Sequence, residues 1–319
     1  MLRNLVRDKN TLAQQQGDCV RRMQKSLEQM NVRLHRAVAD IQGATGMAIL
    51  RAIVRGERNP TELAKLRDRA CRHSEEEIAE ELTGNWRDDH LFGLTQNLRL
   101  YDAIGQSIQV YEEEILRRLK EMERPECAEQ TAPKLAKEKA KKIRQRGEES
   151  ARQAFFRMSG VDLATIDGAG VAVVEAVLTE YGPDLSRFTT EKQFISHLGL
   201  APKQCISGGK PIKGKRKIGA GTTRVRLALR SAVLSLRHSQ SALGAYFRHL
   251  AQRLGNDVAG FATARKLAQY IYRLLRWGQA YVDEGAAAAE RRYYEARINR
   301  LRTNAAQEGF DLTPRAAQA

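Results

Sequence analysis

Apolar residues recur along the N-terminal part of the chain at helical intervals. Leu5, Leu12, Val20, Met23, Leu27, Met30, Leu34, Val38 and Ile41 are separated by three, four, seven or eight residues, with charged side chains between them. This spacing predicts one amphipathic helix, a coiled-coil arm, that stops at Gly43 and Gly46. A short helix is expected around Met47–Val54. Asn59, Pro60 and Glu62 then make an N-cap, first-turn proline and N3 acid for another helix. Ser74 and Glu77 repeat the capping-box signature before Ile78–Leu82, which Gly84 ends. Leu91, Leu94, Leu98, Tyr101, Ile108, Tyr111, Ile115 and Leu119 predict a long helix from Asp89 to Met122.

Pro125 and Pro133 interrupt the pattern, and Lys134–Arg146 has few apolar residues. Glu123–Gln145 reads as a linker or a solvated helical insert. Beyond it, helices are expected at Val171–Tyr181, Glu191–Leu198, Thr223–His238, Ala242–Leu254, Phe261–Trp277 and Ala286–Ala305. Strand is expected only at Gln204–Ile206 and Pro211–Ile218, around a Gly-rich turn. The expected fold is therefore mainly α. A long antiparallel or coiled-coil helical arm spans 1–122 and a charged linker or insert 123–149. A compact helical domain with a helix-hairpin-helix and a small Gly-rich hairpin spans 150–309, followed by a tail over 310–319.

Charge changes this picture. The chain of 319 residues carries a net charge of +16. Between Lys203 and Arg276 there are sixteen lysines and arginines against one acid, Asp257, so this segment holds nearly all the excess. Such segregation points to a polyanionic partner bound by one surface, with the remainder as scaffold. Cys19, Cys71, Cys127 and Cys205 are far apart and lack metal-ligand spacing, which argues against a zinc site and for a reducing compartment. No apolar run is long enough to span a membrane. Scarce aromatics leave little room for a base-stacking platform.

Two stretches carry candidate chemistry. Leu163–Ala172 reads as a hydrophobic turn followed by Gly168-Ala169-Gly170 and an apolar helix. Its glycines permit positive φ and leave first-turn N–H groups open to a nucleic-acid phosphate. The same pattern also serves a tight helix–helix turn that needs glycine for packing. The second stretch, Ser207–Arg230, holds no acid at all. Gly208, Gly209, Gly214, Gly219 and Gly221 loosen it, while Lys210, Lys213, Lys215, Arg216 and Lys217 can collapse onto a phosphate backbone. Thr222 or Thr223 caps the next helix, where Arg224 joins the basic run and Arg226, Arg230 and Arg237 share a face. Val225, Leu229, Ala232, Val233 and Leu236 form its core-facing stripe. Ser207 before Gly208-Gly209 is ordinarily a turn residue. Beside so many cations it is also a candidate phosphoryl-transfer nucleophile. Cys205 lacks a neighbouring base. Tyr270, Tyr272 and Tyr281, with Arg230 and His238, do not fall in the order a tyrosine recombinase requires, and read as core or interface residues.

These motifs, in order, resemble the C-terminal domain of the insertion-sequence one-ten family of transposases, and within it the insertion-sequence eleven-eleven subgroup. The resemblance rests on Asp167-Gly168-Ala169-Gly170, Phe188–Phe194, Leu198–Pro202, Ser207-Gly208-Gly209-Lys210, Leu227–Arg230, Ser239–Arg248 and Lys266-Leu267-Ala268. In the N-terminal half it extends to Met23–Asn31, Gly43–Met47 and Gly56–Pro60. It implies a DNA recombinase, guided by an RNA, in which the serine matching Ser207 attacks a DNA phosphate. It also implies assembly as a homodimer or homotetramer through the helical arm, no membrane partner, and a place at the nucleoid in the bacterial cytoplasm. Members carry an N-terminal resolvase-like domain whose Asp-Glu-Asp-Asp set binds magnesium. No strand-rich segment with spaced acids precedes the first helix here, and Asp88-Asp89-His90 reads as a helix-capping pair. The expectation is thus a transposase without its metal-binding half, through truncation, frameshift or a misplaced start. This chain would bind no cofactor and would be inactive by itself. The competing reading is a non-catalytic helix-hairpin-helix nucleic-acid-binding protein.

Overall fold

The computed structural model describes residues 2–69, 71–207, 210–218, 223–278 and 285–311, with the backbone alone for 203–207 and 210–218. Among these the protein is mainly helical, with a single two-stranded hairpin. It divides into two compact units, Met1–Ile115 and Leu116–Ala319.

The first unit contains α1 (Leu2–Gln29), α2 (Leu34–Ala37), α3 (Ala44–Val54), α4 (Pro60–Ala64), α5 (Glu75–Glu81) and most of α6 (Asp88–Glu121). Gln16 Nε2 donates to the Tyr101 carbonyl at 3.2 Å, and Gly93 faces Ser26, so α1 and α6 lie side by side in opposite directions. Met23, Leu27, Met30, Leu34, Ile49, Leu50, Ile53, Leu63, Ile78 and Leu94 close one core. Burying a side chain of this size is worth about 1.5–3 kcal/mol. The two cap expectations hold. Asn59 accepts from the Thr61 N–H at 3.0 Å, and Ser74 and Glu77 make the reciprocal capping box.

One boundary differs. The first helix ends at Gln29, well before Gly43, although the apolar period continues. Asn31 takes a left-handed φ of 59°, and the Val32 N–H donates back to the Leu27 carbonyl at 3.0 Å. Asparagine tolerates this conformation and so can end a helix where periodicity alone sees none. The turn is tied down from elsewhere in the unit, because the Asn85 N–H donates to the Met30 carbonyl at 2.8 Å.

The second unit begins with a 3₁₀ turn (Pro125–Cys127), then α7 (Lys137–Gln145) and α8 (Glu149–Ser159). A second 3₁₀ turn (Leu163–Thr165) leads to α9 (Val171–Tyr181) and α10 (Glu191–His197). After the hairpin of β1 (Pro202–Ser207) and β2 (Lys210–Ile218) come α11 (Arg224–Leu236), α12 (Ala242–Leu254), α13 (Asn256–Trp277) and α14 (Gly285–Gln307). Helix α13 is the centre, flanked by α10, α11 and α12. Its Ala259, Thr263, Ala264, Leu267, Ala268, Ile271 and Tyr272 are fully buried. It starts at Asn256, earlier than the expected Phe261, because Gly255 at φ 80° turns the chain and Asp257 suits the positive end of a helix. Tyr181, Phe188 and Phe194 pack edge-on against one another, and Phe194 lies tilted against Tyr272 of α13.

An ion pair pins α10 to α13. Arg273 Nε donates to Glu191 Oε2 at 2.8 Å, and Gln269 Nε2 donates to Oε1 at 3.2 Å. The guanidinium holds the Glu191 carboxyl below the usual carboxylate range. A depressed acid stabilises the fold above its unfolded pKa and loses that contribution as pH falls through the folded value. Glu191→Gln is therefore expected to cost about 1 kcal/mol near neutrality. The gap to the unsubstituted protein should close as both are acidified through the carboxylate range, as measured by urea unfolding at a series of pH values.

Candidate nucleic-acid interface

The turn between α8 and α9 is built like a clasp. Asp162 accepts from the Ala164 N–H at 3.0 Å and pairs with Arg152, whose guanidinium also reaches the Pro133 carbonyl. Lys139, on α7, donates to the Ile166 carbonyl at 2.7 Å. Burial pulls the Lys139 ammonium below the ordinary lysine range, opposed by the nearby Asp167 and Asp162 carboxylates. The charged stretch that reads in sequence as a linker or solvated insert is thus anchored to the turn, with Ile143 buried as well. Sequence reasoning missed Lys139 and Arg152 because their partners lie up to 27 residues away.

The two glycines of this turn do different things. Gly168 adopts φ +83°, and a Cβ there would stand 2.8 Å from a terminal methyl of Leu236 on α11. Leu236 is itself buried, so the overlap has no easy escape. Gly168 therefore serves packing, and it joins the turn to the basic helix. Gly170 has φ −80° and nothing within 4 Å of a Cβ position. It caps α9, whose first-turn N–H groups lack intrahelical acceptors as at any helix start.

The hairpin brings the basic run together by register. Lys203 pairs with Lys217, Gln204 with Arg216 and Ser207 with Lys210, with an irregularity between Gln204 and Ile206. Ser207 and Lys210 close the ladder; Gly208 and Gly209 between them lie outside the described residues, as do Gly219, Gly221 and Thr222. The irregularity leaves Lys213 and Lys215 in the long strand, without partners in the register. Like charges at directly opposed positions destabilise an antiparallel pair, and a two-stranded ribbon is marginal by itself.

Helix α11 follows at once. Thr223 caps it by accepting from the Arg226 N–H at 3.1 Å, and Arg224 occupies its first turn. Val225, Leu229, Val233 and Leu236 face the core as their spacing predicts. Arg226 and Arg230 do share a face, and both guanidinium groups lie over the Phe261 ring of α13, at 5.3 and 4.1 Å from its centre. Arg237 stands at the C-cap position of α11. Beside Phe261, a cavity of about 450 Å³ is lined by Tyr246, Arg265, Lys266 and Pro202, at the foot of the hairpin. Burial raises the Tyr246 phenol above its usual pKa. Phe261 was legible only as the start of a helix. Its role as a shelf for two arginines depends on how α11 crosses α13.

Residues 161–248 match the Transposase IS116/IS110/IS902 family. No curated protein and no solved structure matches the chain. The transposase-family segment contains the Gly168 turn, the hairpin, α11 and the first half of α12. Phe261 lies just beyond it. Tyr272 has no place in the chemistry, since it is buried and its hydroxyl donates to the Phe188 carbonyl at 2.6 Å. Tyr281 lies outside the described residues. Asp89 pairs with Arg87 at the start of α6. Among the described residues no three His, Cys, Asp or Glu side chains come together as a metal site. No helix among them is long and apolar enough to cross a membrane.

The glycines give a direct test of this geometry. Gly168→Ala should lower stability by about 2–3 kcal/mol, from left-handed strain and overpacking against Leu236. Gly170→Ala should cost about 1 kcal/mol or less, the ordinary loss at an N-cap. Equilibrium urea unfolding of both variants checks the contrast.

Proposed function

We propose that this chain is the DNA-handling and nucleophile-bearing part of an insertion-sequence transposase, with Ser207 as the nucleophile. The observation that carries the reading is an acid-free hairpin and an arginine pair, within or beside one family-matched segment. Lys210 is the register partner of Ser207. Arg226 and Arg230, fixed on Phe261, supply further positive charge on the helix that follows. In the proposed step the Ser207 oxygen attacks a DNA phosphorus. One P–O bond to a deoxyribose breaks, a phosphoserine ester forms, and the serine proton ends on the released sugar hydroxyl. Lys210, Arg226 and Arg230 offset the charge that gathers on the phosphoryl oxygens. Gly208 and Gly209 give the turn, and Lys213, Lys215, Arg216, Lys217 and Arg224 hold the flanking backbone. The N-terminus of α9, opened by Gly170, is a further phosphate contact. A guide RNA and assembly of two or four copies through the antiparallel α1–α6 arm complete the proposal.

Ser207→Ala should abolish a DNA-linked phosphoserine species in a reconstituted reaction while duplex affinity stays within about twofold, since a hydroxyl adds little to a phosphate-dominated interface. A covalent adduct that survives the substitution sinks the serine assignment. If no adduct forms with either protein, the chain is the non-catalytic clamp instead. Arg226→Ala with Arg230→Ala should weaken duplex binding and lower the salt slope by about 1.8, two contacts at about 0.9 each. Fluorescence anisotropy at several salt concentrations reads both quantities.

A further inference from the structure

The transposase-family segment supplies only the start of one wall, α12, of a second basic cleft. Its other wall is α14, which lies beyond residue 248. The two helices start together. The Ala286 N–H donates to the Gln240 carbonyl at 2.8 Å, and Ala245, Ala286 and Ala289 form a small alanine core between α12 and α14. Alanines let the helices touch here. Further along, the side chains grow: His249 lies flat on Tyr293, with ring centres 4.4 Å apart and planes 10° apart. Helix α12 then stops at Leu254, whereas α14 continues to Gln307. The result is a cleft of about 680 Å³ floored by the His249–Tyr293 stack, within the size range of small-ligand sites.

The charges of this cleft are unbalanced. Glu290 is the single acid lining it, and it is committed to Arg248 at 3.0 Å. Arg248 is further held by the Ser239 carbonyl at 2.7 Å, so it belongs to the framework. Arg253, Arg297 and Arg300 are exposed and line the same cleft, and among the described residues no ion pair or hydrogen bond engages their guanidinium groups. Three guanidinium groups gathered in one concavity repel one another unless an anion lies between them. Tyr294, 64% exposed, stands at the rim with its ring presented to solvent.

We infer that the α12–α14 cleft binds a single strand of nucleic acid, with phosphates on Arg253, Arg297 and Arg300 and a base on the Tyr294 ring. Cations that track a backbone beside an open aromatic face are the parts a sequence-tolerant single-strand groove requires. A duplex presents a convex surface and cannot enter a concavity between two touching helices, so the hairpin surface and this cleft take different forms of nucleic acid. The inference goes beyond the serine chemistry and does not depend on it.

The test uses the full-length protein without divalent cations and three fluorescein-labelled probes: oligouridylate, oligothymidylate and a DNA duplex. Arg297→Ala with Arg300→Ala should weaken binding of at least one single strand tenfold or more. The salt slope for that probe should fall by about 1.4, two single-strand contacts at about 0.7 each. Duplex affinity should change less than twofold. A larger loss on oligouridylate marks RNA as the ligand, and a larger loss on oligothymidylate marks single-stranded DNA. Single-strand affinity within twofold of the unsubstituted protein overturns the inference, as does a change confined to the oligomeric state. Tyr294→Ala, at an exposed position, should remove a photo-cross-link to a 5-iodouridine probe; cross-links mapping only to other segments also overturn it. Failure of the hairpin reading would instead appear as duplex binding indifferent to Arg226→Ala with Arg230→Ala, which leaves the cleft result standing.

Discussion

The C-terminal unit is organised by the burial of one helix. Helix α13 turns Ala259, Ala264 and Ala268 inward, and side chains this small let α10, α11 and α12 approach closely. Longer residues complete the seal where there is room: Leu267, Ile271 and Tyr272, the last with its hydroxyl given to the Phe188 carbonyl. Because α13 is held on several sides, Phe261 is presented to α11 at a fixed place, and Arg226 and Arg230 gain a shelf. An arginine over an aromatic face loses less freedom on meeting a phosphate than one in open solvent, and its charge is less well hydrated. A core constraint thus reaches the surface as pre-ordered cations.

Electrostatics push the other way. The hairpin sets Lys203 against Lys217 and has no acid to relieve them. A ribbon of that composition gains little from folding by itself. In the proposed function a polyanion would offset its cations, and hairpin order and polyanion binding would then each favour the other. The Gly168 turn follows the opposite strategy. There Asp162 and Asp167 stand close to Arg152 and Lys139, and the clasp is electrically satisfied before any partner arrives.

Much of this was readable along the chain, for reasons that differ from residue to residue. Helices α6, α9 and α12 lie where their apolar periods put them, because each buries apolar residues at helical spacing. The Asn59 and Ser74 caps were legible because a cap is made within four residues. The end of α1 was not, since Asn31 carries no apolar signal and its turn is secured by Asn85, far along the chain. Lys139 looked like one of many solvated lysines. Only the fold shows that the Ile166 carbonyl waits above it. The α12–α14 cleft was invisible for a similar reason. Its cations come from two helices, and α14 looks in sequence like an ordinary charged surface helix.

The sequence by itself determined most of the helices, the Asn59 and Ser74 caps, and the concentration of positive charge between Lys203 and Arg276, because periodicity, capping and charge are local properties of a chain. It also determined which segment could bear a serine among cations. The tertiary structure decided what each of those residues does. It spent Gly168 on Leu236 and left Gly170 open, stacked two arginines of α11 on a phenylalanine of α13, buried Tyr272, and paired α12 with α14. Such assignments rest on contacts between residues distant in sequence, and no local pattern records which distant surface a side chain will meet.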